Sequence, residues 1–198
     1  MLIFYKERLA FLSVPKTGTT AYETALRNRA DMVISEPAIL KHAPVYRYNR
    51  FLRPMFTNVC DVELELLAVM REPISWLGSW WRYRQRSFMR DKPNSTHGIS
   101  FDDFVLAYLK GKKPSFADVG AQSKFLETQP NGTGVTHLFK YEDQEKLKVF
   151  LSDRLEVSLD LKRENVSPEI AQTLSPQVEQ RLRRKCAAEF DLYNSICD

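Results

Sequence analysis

The stretch Val14-Pro15-Lys16-Thr17-Gly18-Thr19-Thr20 holds the first residues whose types and spacing suit chemistry. A glycine lets the backbone turn tightly and approach a ligand closely. If a helix opens here, the N–H groups from Thr17 to Thr20 lack acceptors inside it and point outward with the positive end of the helix dipole. The hydroxyls of Thr17, Thr19 and Thr20 add donors, and Lys16 adds a full positive charge. Such a set binds an anion. It is not a Walker A loop, which needs G-x-x-x-x-G-K-[ST] with the lysine directly before the hydroxyl residue. Here Lys16 comes two residues before Gly18 and no glycine holds the earlier position, which disfavours a Mg2+-nucleotide reading.

The elements around this turn follow from the apolar pattern. Leu9 to Val14 is apolar except for Ser13 and ends at a proline, which predicts a strand buried on both faces. A helix is expected over Ala21–Arg29, with Tyr22 and Leu26 on one face, and a short strand over Met32–Ser35. Leu64–Met70 is a second buried strand. Pro73 then opens a helix to about Arg86, at a position where its missing N–H costs nothing. Ser100 is placed to cap a helix over Phe101–Lys110, with Asp102 and Asp103 in its first turn and Gly111 as its stop. Val135–Tyr141 is a third buried strand, and Asp143 caps a helix to about Asp153. A final helix opens at Ser175-Pro176, with Val178, Leu182, Cys186 and Phe190 four apart. Strands alternating with helices predict an α/β domain with a mainly parallel central sheet. Ligands bind such sheets at the carboxyl ends of the strands. Chemistry is therefore sought at the turns Pro15–Thr20 and Arg71–Pro73.

The chain of 198 residues fits one domain over 1–198, large enough to bury a core without staples. Its net charge of +4, from 29 basic and 25 acidic residues, suits an anionic ligand but is too weak to indicate a nucleic-acid binder. Cys60, Cys186 and Cys197 have no metal-ligand spacing. They read as free thiols in a reducing compartment, with Cys186 and Cys197 on one helix. Met1–Tyr5 is apolar but too short for a signal peptide or membrane span, so the N-x-S/T triplets at Asn94, Asn131 and Asn165 read as chance matches. The cytoplasm is the expected location.

Pro-Lys-x-Gly-Thr-Thr after a buried strand resembles the 5′-phosphosulfate loop of the sulfotransferases that use 3′-phosphoadenosine 5′-phosphosulfate (PAPS). The resemblance implies a three-layer fold like that of the P-loop nucleotide hydrolases. It also implies an arginine at the end of a later strand and a serine eight residues on, which together bind the 3′-phosphate. Arg71 and Ser79 stand at that spacing. Arginine's planar fork of donors suits phosphate. Softer similarities extend over most of the chain: Ser100-Phe101-Asp102-Asp103-Phe104, Tyr141-Glu142-Asp143 and Asn165-Val166-Ser167-Pro168. The short chain and compact Arg-Glu-Pro pattern look more like the carbohydrate branch. One departure is clear. The adenine-stacking aromatic that often follows the two threonines in the family is Ala21 here, with Tyr22 next.

The resemblance implies direct in-line sulfuryl transfer from PAPS to an acceptor hydroxyl on a glycan or other small molecule. No metal, nucleic acid or membrane span is expected, and the oligomeric state stays open. Lys16 would stabilise the leaving phosphate oxygen, and a base must take the acceptor's proton. His137 alternates with Val135 and Phe139 and reads as structural, while His97 lies in a polar loop and reads as solvated. His42 stands between the two cofactor motifs, where many sulfotransferases have their base. Glu36 is the fallback. Lys41 either neutralises the sulfate or is simply exposed. Trp80, Trp81, Arg82, Tyr83, Arg84, Arg86, Arg90 and Lys92 either meet cofactor or acceptor or form a solvated basic face. The competing readings are a P-loop kinase-like phosphotransferase, set back by the Walker order and the lack of an obvious Mg2+ carboxylate, and a non-catalytic nucleotide- or polyanion-binding domain.

Overall fold

The computed structural model describes residues 1–161 and 172–196. In chain order the elements are β1 (Leu2–Phe4), β2 (Leu9–Phe11), α1 (Thr19–Leu26), β3 (Met32–Val33), α2 (Ala38–Lys41), α3 (Val45–Arg47) and α4 (Arg53–Cys60), then β4 (Glu65–Met70), α5 (Pro73–Tyr83), α6 (Phe101–Tyr108), α7 (Gln122–Phe125), β5 (His137–Lys140), α8 (Gln144–Leu155), α9 (Pro176–Lys185) and α10 (Ala187–Asn194). They divide between two compact units. Among the described residues, the first comprises 1–71 and 122–161, and the second 72–121 and 172–196. The Asn165-Val166-Ser167-Pro168 segment and Cys197 lie outside the described residues.

The first unit is an open five-stranded sheet in the order β3-β1-β2-β4-β5, flanked by helices. The α/β class is as expected, but the sheet is mixed rather than mainly parallel. β2 pairs parallel with β4, and β4 with β5, while β1 runs antiparallel to both β2 and β3. The difference arises in the first eleven residues. Leu2, Ile3 and Phe4 are fully buried and fold back on β2 in a hairpin. That turn closes with Arg8 N–H donating to the Tyr5 carbonyl, and Arg8 itself has a left-handed φ of 51°. Such a position favours glycine or asparagine, and an arginine there sends no turn signal.

The core explains why these segments order. All of β2 and five of the six residues of β4 are buried. α1 turns Tyr22 and Leu26 onto them, and α8 adds Leu147, Leu151 and Leu155, spaced four apart on one face. Each such side chain contributes about 1.5–3 kcal/mol by leaving water. Asp143 caps α8, accepting from the Lys146 N–H at 3.2 Å.

The second unit is helical among its described residues. Trp76, Leu77 and Trp81 of α5 pack with Phe104 and Val105 of α6 and with Val178, Leu182 and Phe190 of the last two helices. Glu72 caps α5 by accepting from the Ser75 N–H at 2.7 Å, directly before Pro73. Ser100 caps α6 through the Asp103 N–H at 3.1 Å. The expected single C-terminal helix is broken at Cys186, whose φ of −115° and ψ of 32° end α9 before α10 begins.

Candidate functional site

The loop at residues 14–20 joins β2 to α1 at the carboxyl end of the strand. Ser13 and Val14 are buried, and the Thr17 hydroxyl, also buried, donates back to the Val14 carbonyl at 2.8 Å. This bond closes the turn and commits Thr17 to holding its shape. Lys16 and Gly18 both have left-handed φ, 67° and 74°, and Thr17 between them does not. Left-handed residues alternating with ordinary ones turn successive N–H groups to one side, the geometry of an anion nest. A lysine kept in this conformation costs energy that glycine would not, and such strain concentrates where a side chain has a task. Gly18 then serves as the N-cap of α1 with no side-chain cap, which leaves the helix start open to an external acceptor.

Gly18 has a second constraint. A Cβ added there would lie 3.0 Å from Cε2 of Tyr141. Gly18→Ala is therefore expected to destabilise the protein by about 1–2 kcal/mol from the left-handed backbone alone, read as a lower midpoint in urea unfolding, with weakened anion binding.

Arg71, the residue after β4, comes to the same place. Its Nη1 donates to the Lys16 carbonyl at 3.4 Å, and its guanidinium lies 4.4 Å from the centre of the Tyr141 ring. Tyr141 follows β5 and its N–H donates to the Met70 carbonyl at 2.7 Å. The Arg71 backbone is fixed on both sides by Gln122, which is fully buried: its Oε1 accepts from the Arg71 N–H at 2.9 Å and its Nε2 donates to the Arg71 carbonyl at 2.8 Å. The carboxyl ends of three adjacent parallel strands thus bring together Lys16, Arg71 and Tyr141. Neither Gln122 nor the Tyr141 ring carried a functional reading in the sequence. The signal for Tyr141 was its place at the strand end; a lone buried glutamine gives none.

His42 is half-buried and its Nδ1 lies 2.7 Å from the Ser13 carbonyl. A carbonyl can only accept, so Nδ1 carries the proton and Nε2 presents its lone pair. Burial is the largest influence on the ring and lowers its pKa; the Ser13 bond raises it and neighbouring Lys41 lowers it, with a net shift downward. The histidine is therefore a neutral base at physiological pH, tethered three residues before Lys16. Lys41 is neither free in solvent nor unpaired. Its Nζ lies 3.0 Å from Oε2 of Glu23, a buried carboxylate on α1 that also accepts from Arg27 at 3.0 Å. Glu23 was missed in the sequence, although it shares the inward face with Thr19, Tyr22 and Leu26. Glu36 is exposed.

His137 is structural, with Nε2 2.8 Å from Glu65, which is in turn paired with Arg154 at 2.8 Å. His97 is half-buried and bonded to the Ser95 hydroxyl at 2.9 Å rather than fully solvated. Tyr22 is a core residue, its ring edge-on to Phe11 and its hydroxyl donating to Gln144 at 2.9 Å. Ser79 lies on α5 in the second unit and is 5% exposed. In the basic segment, Arg84 is buried and holds the carbonyls of Ser115 and Asp118 at 2.8 and 3.2 Å, while Trp81 is core. Arg86 and Lys92 lie over the rings of Tyr83 and Phe88. The segment is thus partly a structural brace. Cys60 and Cys186 are free thiols. Among the described residues no helix is long and apolar enough to cross a membrane, and no group of three or more His, Cys, Asp or Glu is placed to hold a metal ion. No family model matches the chain, and no curated protein matches it.

Proposed function

We propose that this protein is a sulfotransferase that moves a sulfuryl group from PAPS to an acceptor hydroxyl, on a carbohydrate or other small metabolite. The observation that carries the reading is the convergence at the strand ends: a left-handed Lys16–Gly18 nest, Arg71 seated on its carbonyl, and a neutral His42 hung from Ser13 in the same loop. The cradle at Gly18, which a Cβ would crowd, and the cations Lys16 and Arg71 fit a ligand with phosphate at two positions. A P-loop-like relation of the β2–β4–β5 core and a place in the cytoplasm, where Cys60 and Cys186 stay reduced, belong to the same proposal.

In this reading the donor supplies an activated sulfuryl group on a phosphate leaving oxygen. His42 takes the acceptor's hydroxyl proton on Nε2 as that oxygen forms its bond to sulfur. Lys16 and the loop N–H groups from Thr17 to Thr20 meet the charge left on the 5′-phosphate when the old sulfur–oxygen bond breaks. Pro15 sets the entry into the loop. Arg71 holds the 3′-phosphate, steadied by Gln122 and the Tyr141 ring. The assignment of Ser79 to that phosphate rests on the resemblance alone.

The testing experiment is incubation with sulfur-labelled PAPS and separate glycan and phenol acceptors. Acceptor-dependent label transfer with stoichiometric adenosine 3′,5′-bisphosphate is expected. Labelled phosphate transfer from Mg-ATP instead would point to a kinase. Tyr141→Ala should loosen Arg71 and weaken bisphosphate binding by no more than the worth of the cation–π contact that holds it, about 0.5–2 kcal/mol, measured by equilibrium dialysis.

A further inference from the structure

At the opposite ends of the same strands lies a cleft of about 270 Å3, lined by Tyr48, Arg53, Glu63, Leu66, Thr133 and Thr136 among others. From Leu66 to Arg71 the extended strand covers about 17 Å at 3.3 Å per residue, so this cleft is separate from the anion loop. Its volume is just under the range of drug-sized pockets.

Three features mark it as a built site. Tyr48 is 1% exposed, and its buried hydroxyl has no hydrogen-bond partner among the described residues. An unsatisfied buried hydroxyl costs about 1–3 kcal/mol, a cost that a polar group reaching it through a small shift of the cleft wall would offset. Tyr48 opens a π-helical segment, Tyr48–Leu52, a rare form frequent at functional sites. The facing loop is pre-set from that same segment: Asn49 Oδ1 accepts from both Asn131 Nδ2 and the Thr133 hydroxyl at 2.9 Å. The chemistry of the lining is balanced. Arg53 and Glu63 pair through two contacts, one of them at 2.9 Å, and cancel each other's charge. What remains is hydroxyl and amide, with the Thr133 hydroxyl and the Asn131 amide already donating to Asn49 and the Thr136 hydroxyl accepting from the Leu66 N–H, each oxygen keeping further acceptor capacity.

We propose that this cleft binds a small, neutral, polyhydroxylated ligand such as a single sugar ring or a cyclitol. The inference does not rest on the sulfuryl-transfer reading. The test is titration of the full chain with glucose, galactose and myo-inositol, read from backbone amide resonances, with inorganic sulfate as the charged control. At least one of the three should give saturable shifts confined to Asn131, Thr133 and their neighbours, with sulfate leaving them unmoved. Tyr48→Phe should raise the melting temperature of the free protein, since it removes an unpartnered buried hydroxyl, and weaken binding about tenfold, the loss of one hydrogen bond of about 1.4 kcal/mol. No saturable shift in this loop with any of the three probes would overturn the proposal. So would a Tyr48→Phe variant that melts lower yet binds unchanged, because the hydroxyl would then be structural.

Discussion

Lys16→Ala is expected to lower sulfuryl transfer about 100- to 1,000-fold in kcat, the usual cost of removing one pre-set electrostatic group from a transition state. Lys16 holds a left-handed φ of 67° beside Gly18, and the Arg71 guanidinium reaches its carbonyl. Its charge belongs to a loop whose shape Thr17 closes. Alanine leaves that backbone bond in place, so the variant should fold and still bind bisphosphate measurably. Quenched-flow turnover with labelled PAPS separates the two effects: kcat falls far more than donor affinity. Equal kcat in the variant and the parent would remove Lys16 from the chemistry.

His42→Ala should cost about 100- to 10,000-fold in kcat, the range of a positioned general base, with donor binding retained. The pH profile carries a sharper sign. Transfer needs neutral imidazole, so the rate rises with pH and levels off above the histidine's pKa. Because burial outweighs the Ser13 hydrogen bond, that inflection should fall below the ordinary histidine value. The charged groups near the ring oppose each other, Lys41 and the Met1 amine lowering and Glu23 raising its pKa. The shift also couples to folding. The folded ring binds its proton less well than the unfolded one, so its stabilising contribution is present above the ordinary histidine pKa and is lost as pH falls through the folded value. His42→Gln should flatten the acid limb of activity and remove the ring's share of the limb in stability, while the buried Met1 amine, lowered to about 6, keeps its own share. An inflection above the ordinary value, or an unchanged profile in His42→Gln, would assign the proton to another group.

The sequence made the strand-to-helix turns readable because their signals are local. The apolar runs Leu9–Val14 and Leu64–Met70 lead into prolines and hold the buried strands Leu9–Phe11 and Glu65–Met70, and Ser100 and Asp143 sit where their side chains cap the next helix. The antiparallel edge was not readable, since β1 is three residues long and its turn is closed by Arg8 in place of a glycine. The break at Cys186 was hidden by an unbroken four-residue apolar spacing, which fits one long helix as well as two short ones. The site divides in the same way. Lys16, Gly18 and Arg71 announce themselves by type and position. Gln122, which clamps Arg71 from 51 residues away, and Glu23, which tethers Lys41, act through tertiary contacts that no spacing encodes.

Titration calorimetry with adenosine 3′,5′-bisphosphate, beside ATP with Mg2+, on the parent chain and Arg71→Ala, tests the donor assignment most directly. Tight bisphosphate binding, weakened at least tenfold in the variant by loss of a charged hydrogen-bonded pair of about 1.5–3 kcal/mol and not matched by Mg-ATP, is the predicted result. No bisphosphate binding, or a clear preference for Mg-ATP, would contradict it.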